Sequence, residues 1–248
     1  MTNPGPFQYI RSVLFTVVVF AGMAVYGIAF FPAAIFSRRA ARYACRSYAN
    51  FACWLARWMV GIRTEVRGMP PSGEVLIAAK HQSFLDIIMI FASLPAAKFI
   101  MKKELIWAPF IGQYTLRIGC VPVDRGKRGK AIAKMLADVD AGSAEPGQLV
   151  IYPQGTRVAP GVPERYKTGA AALYAQTGYP CVPVATNCGL FWPRNGILRR
   201  PGLAVVEFLP EIPQGLRQKD FLARLEREVE TASDKLMAEA GFHAPDRH

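Results

Sequence analysis

Residues 75–86 read VLIAAKHQSFLD: five apolar residues, a polar turn, and the opening of an apolar segment. VLIAA has no polar face, as expected of a strand covered on both sides. LVIY, at 149–152, reads the same way. Outward from these two runs, β-type segments alternate with helical ones. Strands are expected at Arg63–Arg67, Glu74–Ala79, Lys98–Met101, Cys120–Asp124, Gln148–Tyr152, Cys181–Thr186 and Leu203–Leu209. Helices are expected at Phe84–Ser93, Lys127–Ala141 and Thr168–Thr177, and a long charged amphipathic helix, Leu216–Ala240, closes the chain. The alternation predicts an α/β layered domain over residues 61–248, with a mostly parallel or mixed sheet flanked by helices.

The first 60 residues are different. Ser12–Phe36 (SVLFTVVVFAGMAVYGIAFFPAAIF) contains no charged side chain. As helix, at ~1.5 Å per residue, it reaches ~38 Å and exceeds a hydrocarbon core of ~30 Å. Gly22, Gly27 and Pro32 are expected to bend or break it, so a span and a re-entrant helix both stay open. Arg38, Arg39, Arg42 and Arg46 follow at once, against Arg11 alone on the other flank. The positive-inside rule then puts the rest of the chain on the cytoplasmic side. Residues 41–60 mix arginine with Tyr, Phe and Trp at helical spacing. Either they lie in the headgroup layer, with Trp54 and Trp58 at the interface, or they pack in the core. Residues 1–60 are thus read as membrane-associated helices that anchor the domain.

Composition agrees with a lipid surface. Of the 248 residues, 52% are hydrophobic and 19% charged, which excludes a mainly disordered chain. Lysine and arginine number 30 against 18 acids, a net charge of +12 that seeks anions. The aromatics are concentrated in the N-terminal part rather than among the basic loops, which argues against nucleic acid as partner. The five cysteines show no C-x-x-C, so neither a disulfide framework nor a zinc knuckle is indicated. Of three histidines, His243 and His248 are near the end, leaving His81 as the one available imidazole base. No metal and no cofactor is expected.

Ligands of open α/β sheets gather where strands end at their carboxyl edge. His81 follows the strand VLIAA, and Asp86 lies five residues on. In one regular helix five steps would leave the pair ~140° out of alignment. The workable geometry has His81 before the helix, Ser83 at its N-cap and Asp86 in its first turn. Asp86 then accepts from one ring nitrogen and leaves the other as a base. A second strand ends in VPVDRGKRGK, with Arg125 at its edge, and Lys102 and Lys103 follow another. A third ends in YPQGTR, where Gly155 permits a tight turn and Arg157 follows. Arginine suits phosphate because its planar fork donates two parallel hydrogen bonds. The three loops together describe a cationic pocket beside His81.

In four blocks from Lys80 to Ala185, somewhat under half of the chain, the sequence resembles the glycerolipid acyltransferases, specifically the bacterial 1-acyl-sn-glycerol-3-phosphate acyltransferases. The H-x-x-x-x-D block appears as His81 to Asp86, and a glycine-led strand with arginine as Gly119 to Arg125. E-G-T-R appears as Gln154-Gly155-Thr156-Arg157, and an apolar strand with proline as Val182 to Ala185. Gln154 departs from the family's usual glutamate: it keeps the size and loses the charge.

The resemblance implies transfer of a fatty acyl group from an acyl thioester to the sn-2 hydroxyl of lysophosphatidic acid, giving phosphatidic acid. The donor is carried by coenzyme A or by acyl carrier protein. It implies His81 as general base oriented by Asp86, direct attack without an acyl-enzyme, and phosphate binding by Arg125 and Arg157. Gly155 and Thr156 shape the loop, and Lys103 is a further phosphate candidate. The implied location is the bacterial inner membrane, with the catalytic domain on the cytoplasmic side. Two alternatives stay open: another lyso-lipid or amino-lipid acceptor, and a non-catalytic protein that binds anionic lipid.

Overall fold

The computed structural model describes residues 5–124, 137 and 146–243. Arg125 and nearly all of the expected helix Lys127–Ala141 lie outside the described residues. Two helices come first, α1 (Pro6–Phe36) and α2 (Arg38–Val60). The strands are β1 (Ile62–Arg67), β2 (Val75–Ala79), β3 (Lys98–Lys102), β4 (Val121–Val123), β5 (Gln148–Ile151), β6 (Cys181–Thr186) and β7 (Gly202–Phe208). Between and after them come α3 (Phe84–Ser93), α4 (Ile111–Arg117), α5 (Thr168–Thr177) and α6 (Gln218–Glu239). One seven-stranded sheet results, in the order β1-β7-β6-β2-β5-β3-β4. Neighbours run parallel except β6 and β7, so the sheet is mixed.

The reading of VLIAA as doubly covered is met residue by residue. Val75, Ile77 and Ala79 join the core cluster that contains α1, α2 and α3, whereas Leu76 and Ala78 join the one built with α5 and α6. Side chains alternate between faces of a strand, and the alternation carries on past the strand end. Lys80 takes the α6 side, where its ammonium meets Glu230 at 2.6 and 2.5 Å. The Tyr166 hydroxyl donates to the same carboxylate at 3.0 Å. His81 takes the other side. Both members of the Lys80–Glu230 pair are buried, so each neutralises a charge that would be costly alone.

The expected strand boundaries shift by a residue or so, and the described residues add short helical elements that the sequence does not announce, Cys188–Leu190 among them. The 3-10 turn Lys103–Trp107 and α4 fill the β3–β4 connection. Both are too short for hydrophobic periodicity to stand out.

At the N-terminus, α1 starts earlier than the apolar run and passes through Pro32 unbroken. Gly22 and Gly27 do not break it either. A Cβ at Gly27 would collide with the ring of Phe110, and one at Gly22 would stand 2.6 Å from the Phe51 ring. These glycines admit neighbours. The stripe Phe15, Val19 and Ala34 is buried against a row of alanines on α2 (Ala41, Ala44, Ala52, Ala56), in the same cluster as the sheet. Small residues on α2 let the helices approach closely. The opposite face of α1, including Val17, Val25 and Ile28, is apolar and exposed.

Candidate active site

Strands β2, β5, β3 and β4 are neighbours in that order and run parallel, so their carboxyl ends form one edge. The loops picked out from the sequence leave this edge. Ser83 caps α3: its Oγ accepts from the Leu85 N–H at 3.0 Å and donates to the Trp192 carbonyl at 2.6 Å. Asp86, in the first turn, closes a capping box. Its Oδ2 accepts the backbone N–H groups of Gln82 and Ser83 at 2.8 and 2.7 Å. Its Oδ1 lies 2.9 Å from His81 Nδ1. A carboxylate only accepts, so Nδ1 carries the proton and Nε2 keeps its lone pair. Asp86 is fully buried, and the His81 side chain is 12% exposed. One carboxylate therefore both caps the helix and orients the imidazole.

Two further loops lock this turn. The His81 carbonyl accepts from the Val158 N–H at 2.8 Å, and Gln82 Oε1 accepts from the Gly189 N–H at 3.1 Å. The ring of Tyr152, one residue past β5, lies on the imidazole with centroids 4.0 Å apart and planes 20° apart.

The turn Tyr152 to Arg157 closes with the Gly155 N–H donating to the Tyr152 carbonyl at 2.8 Å. Gly155 takes φ +71°, and a Cβ there would lie 2.7 Å from Lys167 Nζ. Glycine is needed for this backbone conformation. Arg157 is half-buried on the loop after β5, the strand beside β2, with its carbonyl held by the Arg194 guanidinium at 2.9 Å. Thr156 sits between Gly155 and Arg157, also half-buried. Lys103 is exposed at the end of β3, two strands from β2. At ~4.8 Å per strand it starts ~10 Å from the histidine's strand, against ~5 Å for the Arg157 loop. Gln154 is buried, with Nε2 3.5 Å from the Glu164 carbonyl and Oε1 lacking a partner among the described residues.

Lys167, Arg194 and Tyr152 escaped the sequence reading. No local pattern marks the first two, and Tyr152 reads as the end of a strand. Ser83, Cys120 and Cys188 are ill suited to act as covalent nucleophiles. The Ser83 hydroxyl is committed at both ends. Burial pushes the Cys188 thiol far up, and pushes that of Cys120 up to about 11. Neither is a ready thiolate.

Comparison with known proteins gives the family and the fold. A family model described as acyltransferase matches residues 63–187, which hold both His81 and Arg157. The chain belongs to the acyltransferase family. It is 30% identical over 236 residues to a Pseudomonas aeruginosa protein named 1-acyl-sn-glycerol-3-phosphate acyltransferase, covering 94% of this chain and 92% of that one. A Bos taurus 1-acyl-sn-glycerol-3-phosphate acyltransferase alpha is 31% identical over 177 residues, 69% of this chain and 62% of the relative. The fold is also that of a crystal structure titled 1-acyl-sn-glycerophosphate (LPA) acyltransferase, PlsC, from Thermotoga maritima. That match has a TM-score of 0.74 at 19% identity and covers 93% of this chain and 99% of that one. The acyltransferase thus shares its fold with a solved structure. Its hydrogen-bonded histidine and aspartate lie inside the segment that the family model matches.

Proposed function

We propose that this acyltransferase moves a fatty acyl group from a thioester on coenzyme A or acyl carrier protein to the sn-2 hydroxyl of 1-acyl-sn-glycerol-3-phosphate. The product is phosphatidic acid for phospholipid synthesis. The observation that carries the reading is the His81–Asp86 pair, with Nδ1 engaged at 2.9 Å, beside the arginine of the next strand's loop. The names of the similar proteins support this acceptor.

In this mechanism His81 Nε2 takes the proton of the hydroxyl. The oxygen attacks the thioester carbonyl, the C–O bond forms and the C–S bond breaks. The departing thiolate receives the proton from the imidazolium. Asp86 keeps the ring in the required tautomer and balances its charge. Arg157 holds the phosphate, Arg125 and Lys103 are the further phosphate candidates, and Gly155 and Thr156 shape the turn. A panel of lyso-lipid acceptors tested against both donor types, read by product mass, tests the assignment. Phosphatidic acid is the expected product. With Arg157→Ala, KM for the acceptor should rise about tenfold or more and KM for the thioester should hold, since a charge-assisted pair is worth ~1.5–3 kcal/mol. Equal rises in both would contradict the phosphate role.

One observation favours a second acceptor class. Gln154 buries an uncharged amide oxygen without a partner among the described residues. Another lyso-lipid or an amino-lipid as acceptor is the reading this change of charge keeps open, and the same panel distinguishes this outcome.

Residues 1–60 form the membrane-docking segment of this reading, and 61–248 the α/β acyltransferase domain. Docking places the site at the cytoplasmic face of a bacterial inner membrane, where lipid substrates arrive sideways. The helix α1 is tied to the body along its length. The side chain of Gln8 bonds the Val60 and Arg199 carbonyls, and the Tyr114 hydroxyl and Arg117 guanidinium bond the Gly27 and Ala34 carbonyls. A helix standing across the bilayer would drag those groups into hydrocarbon. These bonds support a helix lying within one leaflet. Val17 and Ile28 are 60% and 65% exposed, so glutamate at both sites should spare the fold and weaken vesicle binding. Unchanged sedimentation with vesicles would refute it.

A further inference from the structure

We propose that Tyr152 is a positioning residue for the acyl transfer, its ring face fixing the His81 imidazole and stabilising the imidazolium formed when the base takes its proton. The inference rests on the reading of His81 as general base and deepens it.

Asp86 contacts the imidazole along its edge, through Nδ1. The face of the ring is covered by Tyr152, at 4.0 Å and 20°. Strand register produces this contact. The pair Ala78 and Ile151 stand opposite each other on β2 and β5. Ile151 faces the α5–α6 core, so Tyr152 faces the other side, where His81 emerges from the neighbouring strand. A row of rings backs the phenol. Phe99 stacks on Tyr152 at 6.2 Å, and Phe91 stacks on Phe99 at 6.2 Å. The Tyr152 hydroxyl is buried and lies towards the Asp86 carboxylate. Burial, and then the nearby charge of Asp86, hold the phenol firmly protonated. What Tyr152 presents is therefore a neutral π-face.

A π-face is electron-rich and attracts a cation above it. Neutral imidazole gains little from this; imidazolium gains more. The gain grows as the proton moves to Nε2, which is when it lowers the barrier. Asp86 of α3 acts from the edge, and Cys188, after β6, is held as a neutral thiol by burial. Arg157 lies on the loop after β5. Lys80 lies across the sheet and is neutralised by Glu230.

The experiment compares Tyr152→Leu with the conservative Tyr152→Phe, following kcat and both KM values against pH. A cation over an aromatic ring is worth ~0.5–2 kcal/mol, so the leucine variant should lose about 2- to 30-fold in kcat. Its acidic limb should move to lower pH by roughly 0.4–1.5 units, with both KM values nearly constant. Tyr152→Phe restores the ring, and with it the position of the limb and most of the rate. The chain has three histidines, two of them close to its end. The titration of His81 in the detergent-solubilised protein is therefore resolvable by NMR, and reports the same displacement without turnover. If the leucine variant does not melt cooperatively, Tyr152→Met, which refills the space, takes its place. An unmoved limb in the ring-less variant overturns the proposal, and so does phenylalanine behaving like leucine. A His81→Ala control separates the two readings. If it stays active, the base assignment fails. If it is inactive while the limb of Tyr152→Leu stays put, only the role of Tyr152 fails.

Discussion

Replacing His81 by alanine should lower kcat by at least ~10²-fold, and by up to ~10⁴-fold, with little change in either KM. The expectation follows from position. His81 is presented just before α3 with Nδ1 tied to Asp86, and its other nitrogen is the atom left to accept a proton. Backbone bonds of the turn run through the His81 carbonyl and the Gln82 and Ser83 N–H groups, which alanine leaves in place. The variant should therefore fold and melt much like the parent. Turnover of purified His81→Ala within tenfold of the parent would remove the histidine from the chemistry.

Asp86→Asn should be nearly as damaging to the rate, on the order of 10²-fold or more. An asparagine oxygen can still accept the two backbone N–H groups of the capping box. Its NH₂ then faces His81 Nδ1 and donates to it, which moves the ring proton to Nε2. The imidazole stays in place and loses its function as a base. Stability should fall by ~1–2 kcal/mol, since the bonds to a buried carboxylate become bonds to a neutral amide. A kcat measurement beside a thermal melt separates these effects. A rate within a few-fold of the parent, in a folded variant, would show that the tautomer is set by something other than Asp86.

Much of this site can be read from one dozen residues, and the reason is geometric. Apolar residues on both faces of VLIAA mean a doubly covered strand, and such a strand ends at the ligand-binding edge. The spacing of His81 and Asp86 rules out a shared helix face. Only a turn with the aspartate in the first helical turn brings them together, and the capping box builds that turn. Tyr152 is different, because its partner depends on which strand lies beside β5. That is a register fact with no local signature. Lys167 and Arg194 meet the Gly155–Arg157 loop through tertiary packing alone.

The N-terminal helix was legible as apolar but not as packed. Its glycines read as breaks, and they serve as contact points for Phe51 and Phe110. A periodic stripe inside an all-apolar segment is invisible to hydropathy, so the buried face containing Phe15 and Val19 emerges only when α2 is laid against it.

Direct transfer from donor to acceptor is the step on which the whole mechanism turns. Its most direct test is the mass of the intact chain, quenched during turnover with an acyl thioester and lysophosphatidic acid. Direct attack requires phosphatidic acid to accumulate while the protein mass stays unmodified at every time point. An acyl group covalently carried by the chain, at Ser83, Cys188 or His81 itself, and passed on to the acceptor would contradict it.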